Sequence, residues 1–201
     1  KLYNTATGAF SELTAEAYED FDKFYSGFAY VLKDTVFLTD DGELLMASIK
    51  DGKVGSFKFV AEDAEFLWDD DETAYYTADS YDRDGYTYVD LYRYAKGEST
   101  RVAQDILDAR VSVYEDGNIY VYTDASSRGV ELTCIGKDAN RTVVADDVQQ
   151  YIRMDKNNLL YIQDGDLYSY NGKEKTRIAS DITHFWVASP MKAEASFGTN
   201  D

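Results

Sequence analysis

The chain has 201 residues, with 38 acidic against 20 basic side chains and a formal net charge of −18. A field of that sign repels phosphate backbones and anionic lipid headgroups, which argues against nucleic acid and membrane surfaces as partners. With Cys134 as its one cysteine the chain forms no internal disulfide, and no apolar stretch approaches the roughly 20 residues that a membrane-spanning helix needs.

Eighteen Tyr and ten Phe beside a single Pro suit pleated, half-buried strands. From the N-terminus, residues 1–4 and 10–14 read as two short strands. Residues 14–24 read either as a helical turn or as a link between strands. Beyond them a phrase recurs: an aliphatic residue, Ala, one variable residue, then Asp. It occurs as Val60-Ala61-Glu62-Asp63, Val102-Ala103-Gln104-Asp105, Val144-Ala145-Asp146-Asp147 and Ile178-Ala179-Ser180-Asp181. The Asp-to-Asp spacings are 42, 42 and 34 residues, and a weaker copy ends at Asp20, 43 residues before Asp63. Each interval divides into four strand-like runs separated by turn residues. Between Asp105 and Asp147 these are residues 109–114, 118–122, 129–135 and 141–145. Between Asp147 and Asp181 they are 151–154, 159–163, 166–170 and 175–179. The third run carries a signature, Asp90-Leu91-Tyr92-Arg93-Tyr94, repeated as Asp166-Leu167-Tyr168-Ser169-Tyr170. After Asp181 residues 185–188 and 193–197 read as two last strands. Cys134, in an alternating run, is expected to be a small buried hydrophobe.

A repeat of about 40–45 residues made of four short strands is the period of a β-propeller blade. The expected fold is therefore all-β: a single five-bladed propeller with blades at about 21–63, 64–105, 106–147, 148–181, and 182–201 plus 1–20. Strands from both termini close the last blade and so remove exposed sheet edges. The repeats resemble those of WD40-like and TolB-like propellers, in particular domains of uncharacterised surface proteins from Gram-positive anaerobes, where strings such as that of residues 166–181 are typical. They depart from true WD40 repeats, since no Gly-His and no Trp-Asp pair ends a blade; Trp68-Asp69 closes a first strand instead. The resemblance implies a fold and an extracellular or cell-surface bacterial location, with no chemistry attached.

Blade order assigns loops to faces. Junctions between blades, and second-to-third turns, emerge on one face with Asp63, Asp105, Asp147 and Asp181. The third-to-fourth turns carry Lys50, Lys53, Lys96, Lys137, Lys173 and Lys175 on the other. The repeated Asp reads as turn chemistry, because its side chain bonds backbone amides in tight connections. The alternative is a carboxylate ring that holds a cation or a basic peptide. The most site-like stretch is residues 79–85, expected as the longest loop of the acidic face, with Asp79, Asp82 and Asp84 before Gly85. Alternating acids before Gly suggest calcium through Asp82 and Asp84. The pattern is imperfect, because Ser80 and Leu91 stand at the first and twelfth ligand positions.

Other chemistries find less support. His184 is the one histidine and no G-x-S-x-G elbow accompanies it, so clusters of several histidines and a nucleophilic triad are not expected. Glycoside cleavage would need two carboxylates converging in a central channel; Asp34, Asp69, Glu115 and Asp155 are formally available. Tyr81, Tyr86, Trp68 and Trp186, near loops, can stack on sugars or anchor a peptide. The expected function is thus a non-catalytic binding or scaffold domain that engages a protein or glycan through its acidic face, as a monomer without a cofactor, calcium excepted. A channel-centred glycoside hydrolase is the alternative.

Overall fold

Alternation of apolar and polar side chains, broken by Asp-Gly and Lys-Gly pairs, dictates a chain of antiparallel hairpins, and antiparallel strands are what form. The computed structural model describes residues 2–3, 10–11, 28–40, 42–51, 53–69, 73–108, 111–113, 118–136, 138–155 and 158–186. Among these the regular structure is β-strand throughout, and every strand pairing for which a register is given is antiparallel. The chain divides into two compact units, Lys1–Ser80 with Leu91–Arg101, and Tyr81–Asp90 with Val102–Asp201.

In the first unit β1 (Leu2–Tyr3) pairs with β2 (Phe10–Ser11), as the two N-terminal runs suggested. Next come β3 (Phe28–Leu32), β4 (Thr35–Asp40), β5 (Glu43–Lys50), β6 (Lys53–Val54) and β7 (Lys58–Ala61). They form one sheet in the order β3-β4-β5, with β6 and β7 both on the free side of β5, so its fourth strand is interrupted. Both faces of this sheet are apolar. Phe37 and Leu44 enter a cluster with Phe66, Tyr76 and Tyr94, while Val36, Leu38, Leu45 and Ala47 pack with Phe57. Tyr30 stacks on Phe66 with ring centroids 4.0 Å apart, and Phe37 meets Tyr94 edge-on at 4.9 Å. Each fully buried side chain of this size stabilises the fold by about 1.5–3 kcal/mol.

The next sheet has the order β8-β9-β10-β11, from β8 (Glu65–Asp69), β9 (Thr73–Arg83), β10 (Tyr86–Ala95) and β11 (Glu98–Leu107). Here the expected loop over residues 79–85 gives way to strand. β9 and β10 run on to a two-residue turn, Asp84-Gly85, with φ of 53° and 81°. Two positive φ values define the mirror-image turn whose twist matches that of the strands. Beyond Ser80 the ladder is held by aromatic contacts on one face: Tyr81 stacks on Tyr88 at 5.7 Å, and the Arg83 guanidinium lies 4.1 Å from the centre of the Tyr88 ring. Alternating Tyr and charged residues favoured strand over loop, and the Asp-Gly pair was the cue to a tight turn.

In the second unit β12 (Ser112–Val113), β13 (Ile119–Ala125), β14 (Val130–Ile135), β15 (Arg141–Arg153), β16 (Leu159–Gln163), β17 (Asp166–Tyr170) and β18 (Lys175–Ala179) follow one another in a seven-stranded sheet. The strand runs expected at 159–163, 166–170 and 175–179 match β16, β17 and β18 residue for residue. β15 was expected as two strands of two repeats. It is continuous, pairing with β14 through Ala145 and Val148 and with β16 from Val148 to Arg153. Its core gathers Tyr120, Leu132, Tyr151, Leu159 and Tyr161, with half-buried Cys134 packed against them. Arg153 is buried here; its guanidinium donates to the carbonyls of Asn118 and Asp155.

The sheets do not close into a ring among the described residues. β1 and β2 form a two-stranded sheet of their own, and Phe185 and Trp186, expected to open a strand, have no regular structure. The remaining closure segments, including Asp20, residues 187–201 and the alternative turn at 14–24, lie outside the described residues.

Candidate functional site

The recurring phrase has one structural meaning in three repeats. Ala61 pairs with Leu44, Ala145 with Leu132, and Ala179 with Leu167. One residue earlier the register slips, leaving Val60, Val144 and Ile178 as the extra residue of a β-bulge. Bulges bend a strand and increase its twist. Two residues after each Ala stands the repeated Asp, with left-handed φ of 46° at Asp63, 54° at Asp105, 52° at Asp147 and 57° at Asp181. That region costs most L-residues about 1–2 kcal/mol, and Asp and Asn tolerate it better than others. The next residue then turns back to the hairpin of its own repeat: Ala64 N–H donates to Gly42 O at 2.7 Å, and Ile182 N–H to Gly165 O at 2.8 Å. Bulge, small Ala and left-handed Asp together fold the fourth strand round the second-to-third turn.

The carboxylates of Asp105 and Asp147 are bound into the fold. Tyr81 Oη donates to Asp105 Oδ1 at 2.6 Å, and the Asp105 amide donates to Asp90 Oδ1 at 3.1 Å. The Tyr81 hydrogen bond holds the Asp105 carboxyl below the usual carboxylate range. Asp147 receives Ser126 Oγ at 3.0 Å and lies 2.9 Å from Arg128 Nη2. Thr87 Oγ1 donates to Asp82 Oδ1 at 2.8 Å, and Tyr92 Oη donates to Asp79 Oδ2. Asp84 is the first position of the Asp84-Gly85 turn, and Asp79 too has a left-handed φ, of 57°. No three His, Cys, Asp or Glu side chains among the described residues are grouped to hold a metal ion. Of the channel acids, Asp155 accepts from the backbone N–H and side-chain amide of Asn158 within its own turn. Asp34 follows Lys33 in the β3–β4 turn. The Asp69 side chain and Glu115 lie outside the description.

Within the second unit these corners frame a cleft of about 500 Å3. Its walls include Tyr86, Asp108, Tyr122, Arg128 and Gln149. Every one of these positions adjoins a second-to-third turn or follows a repeated Asp, so the cleft opens at the Asp-bearing end. Its rim is fixed. Ser126 Oγ accepts from the amides of Arg128 and Gly129 and reaches Asp147, while Gln149 Nε2 donates to the carbonyls of Arg128 and Asp147. Gly129 is obligatory, since a Cβ there would sit 2.6 Å from the Asp147 carbonyl carbon.

Sequence reading singled out Tyr86 but missed Tyr122, Asp108, Arg128 and Gln149. Their one signal is that residues 124–129 replace a tight Asp-Gly turn with a longer Ser-Ser-Arg-Gly loop. It also missed that an acid followed by Leu stands in the third strand of all four repeats: Glu43-Leu44, Asp90-Leu91, Glu131-Leu132 and Asp166-Leu167.

No family model matches the chain, and no curated protein sequence matches it. Solved structures similar to it include a puromycin-hydrolysing peptidase of Mycobacterium tuberculosis, with 11% identity and a TM-score of 0.42 over 79% of this chain and 26% of that one. A putative gluconolactonase matches at 12% identity and a TM-score of 0.38 over 76% and 62%. PorZ, a surface component of the type-IX secretion system of Porphyromonas gingivalis, matches at 14% and 0.43 over 75% and 22%. The chain spans less than two thirds of each of these chains, and the likeness extends to no individual residue.

Proposed function

We propose that the chain is a non-catalytic binding module of an exported bacterial protein, built of propeller blades, and that it takes its ligand in the cleft at its acidic sheet end. The observation that carries this reading is the cleft: a concavity within the size range of ligand sites, with a rim locked by hydrogen bonds before any ligand arrives. Pre-organised polar groups bind without the cost of ordering them first. The repeated Asp residues, with Asp79, Asp82 and Asp84, act here as the corners and braces of that end.

Four-stranded repeats support the blade reading, and the β1–β2 pair is the piece that a fifth blade would draw from the N-terminus. If residues 1–20 close a ring, their removal lowers the unfolding midpoint by several degrees; an unchanged midpoint argues for an open array. The exported location rests on the resemblance of residues 166–181 to surface-protein repeats, and antibody labelling of intact cells checks it.

Amide-resolved chemical-shift mapping with pooled neutral oligosaccharides and pooled peptides tests the binding site. Shifts clustered at residues 86–87, 107–108, 126–130 and 148–149 support it; shifts confined to the lysine-bearing turns at the other end overturn it. Turnover of aryl glycosides in the same samples would move the reading to a glycoside hydrolase.

A further inference from the structure

We infer that the ligand of this cleft is a neutral saccharide, an assignment that rests on the cleft being the binding site. Charge is the first argument. In a chain of net charge −18 the cleft lining carries one guanidinium, Arg128, and one carboxylate, Asp108. Arg128 is 74% exposed and paired with Asp147 at 2.9 Å, so its charge is offset by that carboxylate. The nearby carboxylates of Asp147, Asp105 and Asp82 accept from Ser126, Tyr81 and Thr87 and are not part of the cleft lining. The lining therefore has no excess of either sign to select an ion.

The polar groups that remain suit hydroxyls. The Asp108 carboxylate presents two acceptor atoms side by side, the spacing of adjacent hydroxyls on a sugar ring; the Arg128 guanidinium has donors besides the Nη2 that meets Asp147, and Gln149 offers its amide oxygen, its Nε2 being engaged by the carbonyls of Arg128 and Asp147. Sugar hydroxyls both donate and accept, so a mixed lining of carboxylate, guanidinium, amide and the hydroxyls of Thr87 and Ser127 satisfies them in either sense. Tyr86 and Tyr122 supply flat apolar surface for the C–H face of a pyranose. Tyr86 is 42% exposed, a large aromatic left open in the wall of this cleft.

The test is titration calorimetry of the intact chain with four linear neutral sugars: maltotriose, cellotriose, xylotriose and triacetylchitotriose. At least one binds with a Kd in the range of about 1 mM or tighter. Replacing the Tyr86 ring (Tyr86→Ala) weakens that binding roughly tenfold, the effect of a lost aromatic contact, while Tyr86→Phe retains most of it. An unchanged unfolding midpoint for Tyr86→Ala shows that the fold is intact. Heat absent from all four sugars at about 10 mM overturns the assignment, as does binding indifferent to Tyr86→Ala. If a lysine- and arginine-containing peptide instead shifts the cleft amides, the saccharide class fails and the binding module stands. If neither kind of probe perturbs those amides, both fail together.

Discussion

At Asp147 three demands meet: a left-handed backbone, a neighbour too close for any side chain at Gly129, and a carboxylate that bridges Ser126 and Arg128. Magnitudes decide which matters most. The ion pair joins a largely exposed Arg128, and such pairs contribute at most about 1 kcal/mol. The backbone conformation costs an ordinary L-residue about 1–2 kcal/mol, and Asn accepts it nearly as readily as Asp. Asp147→Asn should therefore unfold in urea within about 0.5 kcal/mol of the parent, and Asp147→Ala should lose about 1–2 kcal/mol. An alanine variant as stable as the parent would remove the backbone explanation for the whole repeat. That explanation was half legible in the sequence. Recurrence of Asp after an aliphatic-Ala step announced a turn function, but the bulge at Val60, Val144 and Ile178 depends on a partner strand that spacing alone does not reveal.

Strands were read most accurately where each lies between two short turns, as in β16, β17 and β18. There the turn residues Asp164-Gly165 and Gly172 bound runs of strict alternation, and register follows from the turn. Reading failed where two strands merge, in β15, because Asp147 bends the chain without interrupting its pairing. It failed again at residues 79–85, where acidic composition suggested a solvated loop although Tyr81 and Tyr88 pair across a ladder. The same tyrosine pairing sets a pH limit on the β16–β17 hairpin. Tyr161 faces Tyr168 across the strands, and burial, with Tyr168 and Tyr170 adding to it, pushes the Tyr161 phenol up to about 12. Burial likewise raises Tyr120. In the unfolded chain these phenols ionise near 10, so the folded state holds more protons above that pH. Stability is then fully present below about pH 10 and declines as pH rises toward 12. The Tyr161 hydroxyl is buried without a hydrogen-bond partner among the described residues. Tyr161→Phe should accordingly leave stability at pH 8 within about 1 kcal/mol and soften the alkaline decline. Denaturant unfolding at pH 8, 10 and 11 measures both; a variant much weaker at pH 8 would mean that the hydroxyl has a partner.

For the molecule as a whole, composition already pointed to an all-β chain, which the structure bears out, while the repeat period pointed to four-stranded units of which β8–β11 form one as a separate sheet and the next two run together through β15. The proposed binding site was far less legible, because residues that line the cleft come from five separate segments and share no motif. What composition suggested most loudly, a surface crowded with Asp, turns out to have a structural use at each repeat. The proposed division is therefore recognition in a cleft of balanced charge and the repeated Asp as architecture. Thermal unfolding followed during a calcium titration, with and without chelator, tests that division most directly. Carboxylates that already hold Tyr81, Ser126, Thr87 and Tyr92 form no cluster for the ion among the described residues, so the midpoint should stay where it is up to millimolar calcium. A rise of several degrees, abolished by replacing Asp82 and Asp84 with Asn, would contradict the account and make the acidic end a cation site.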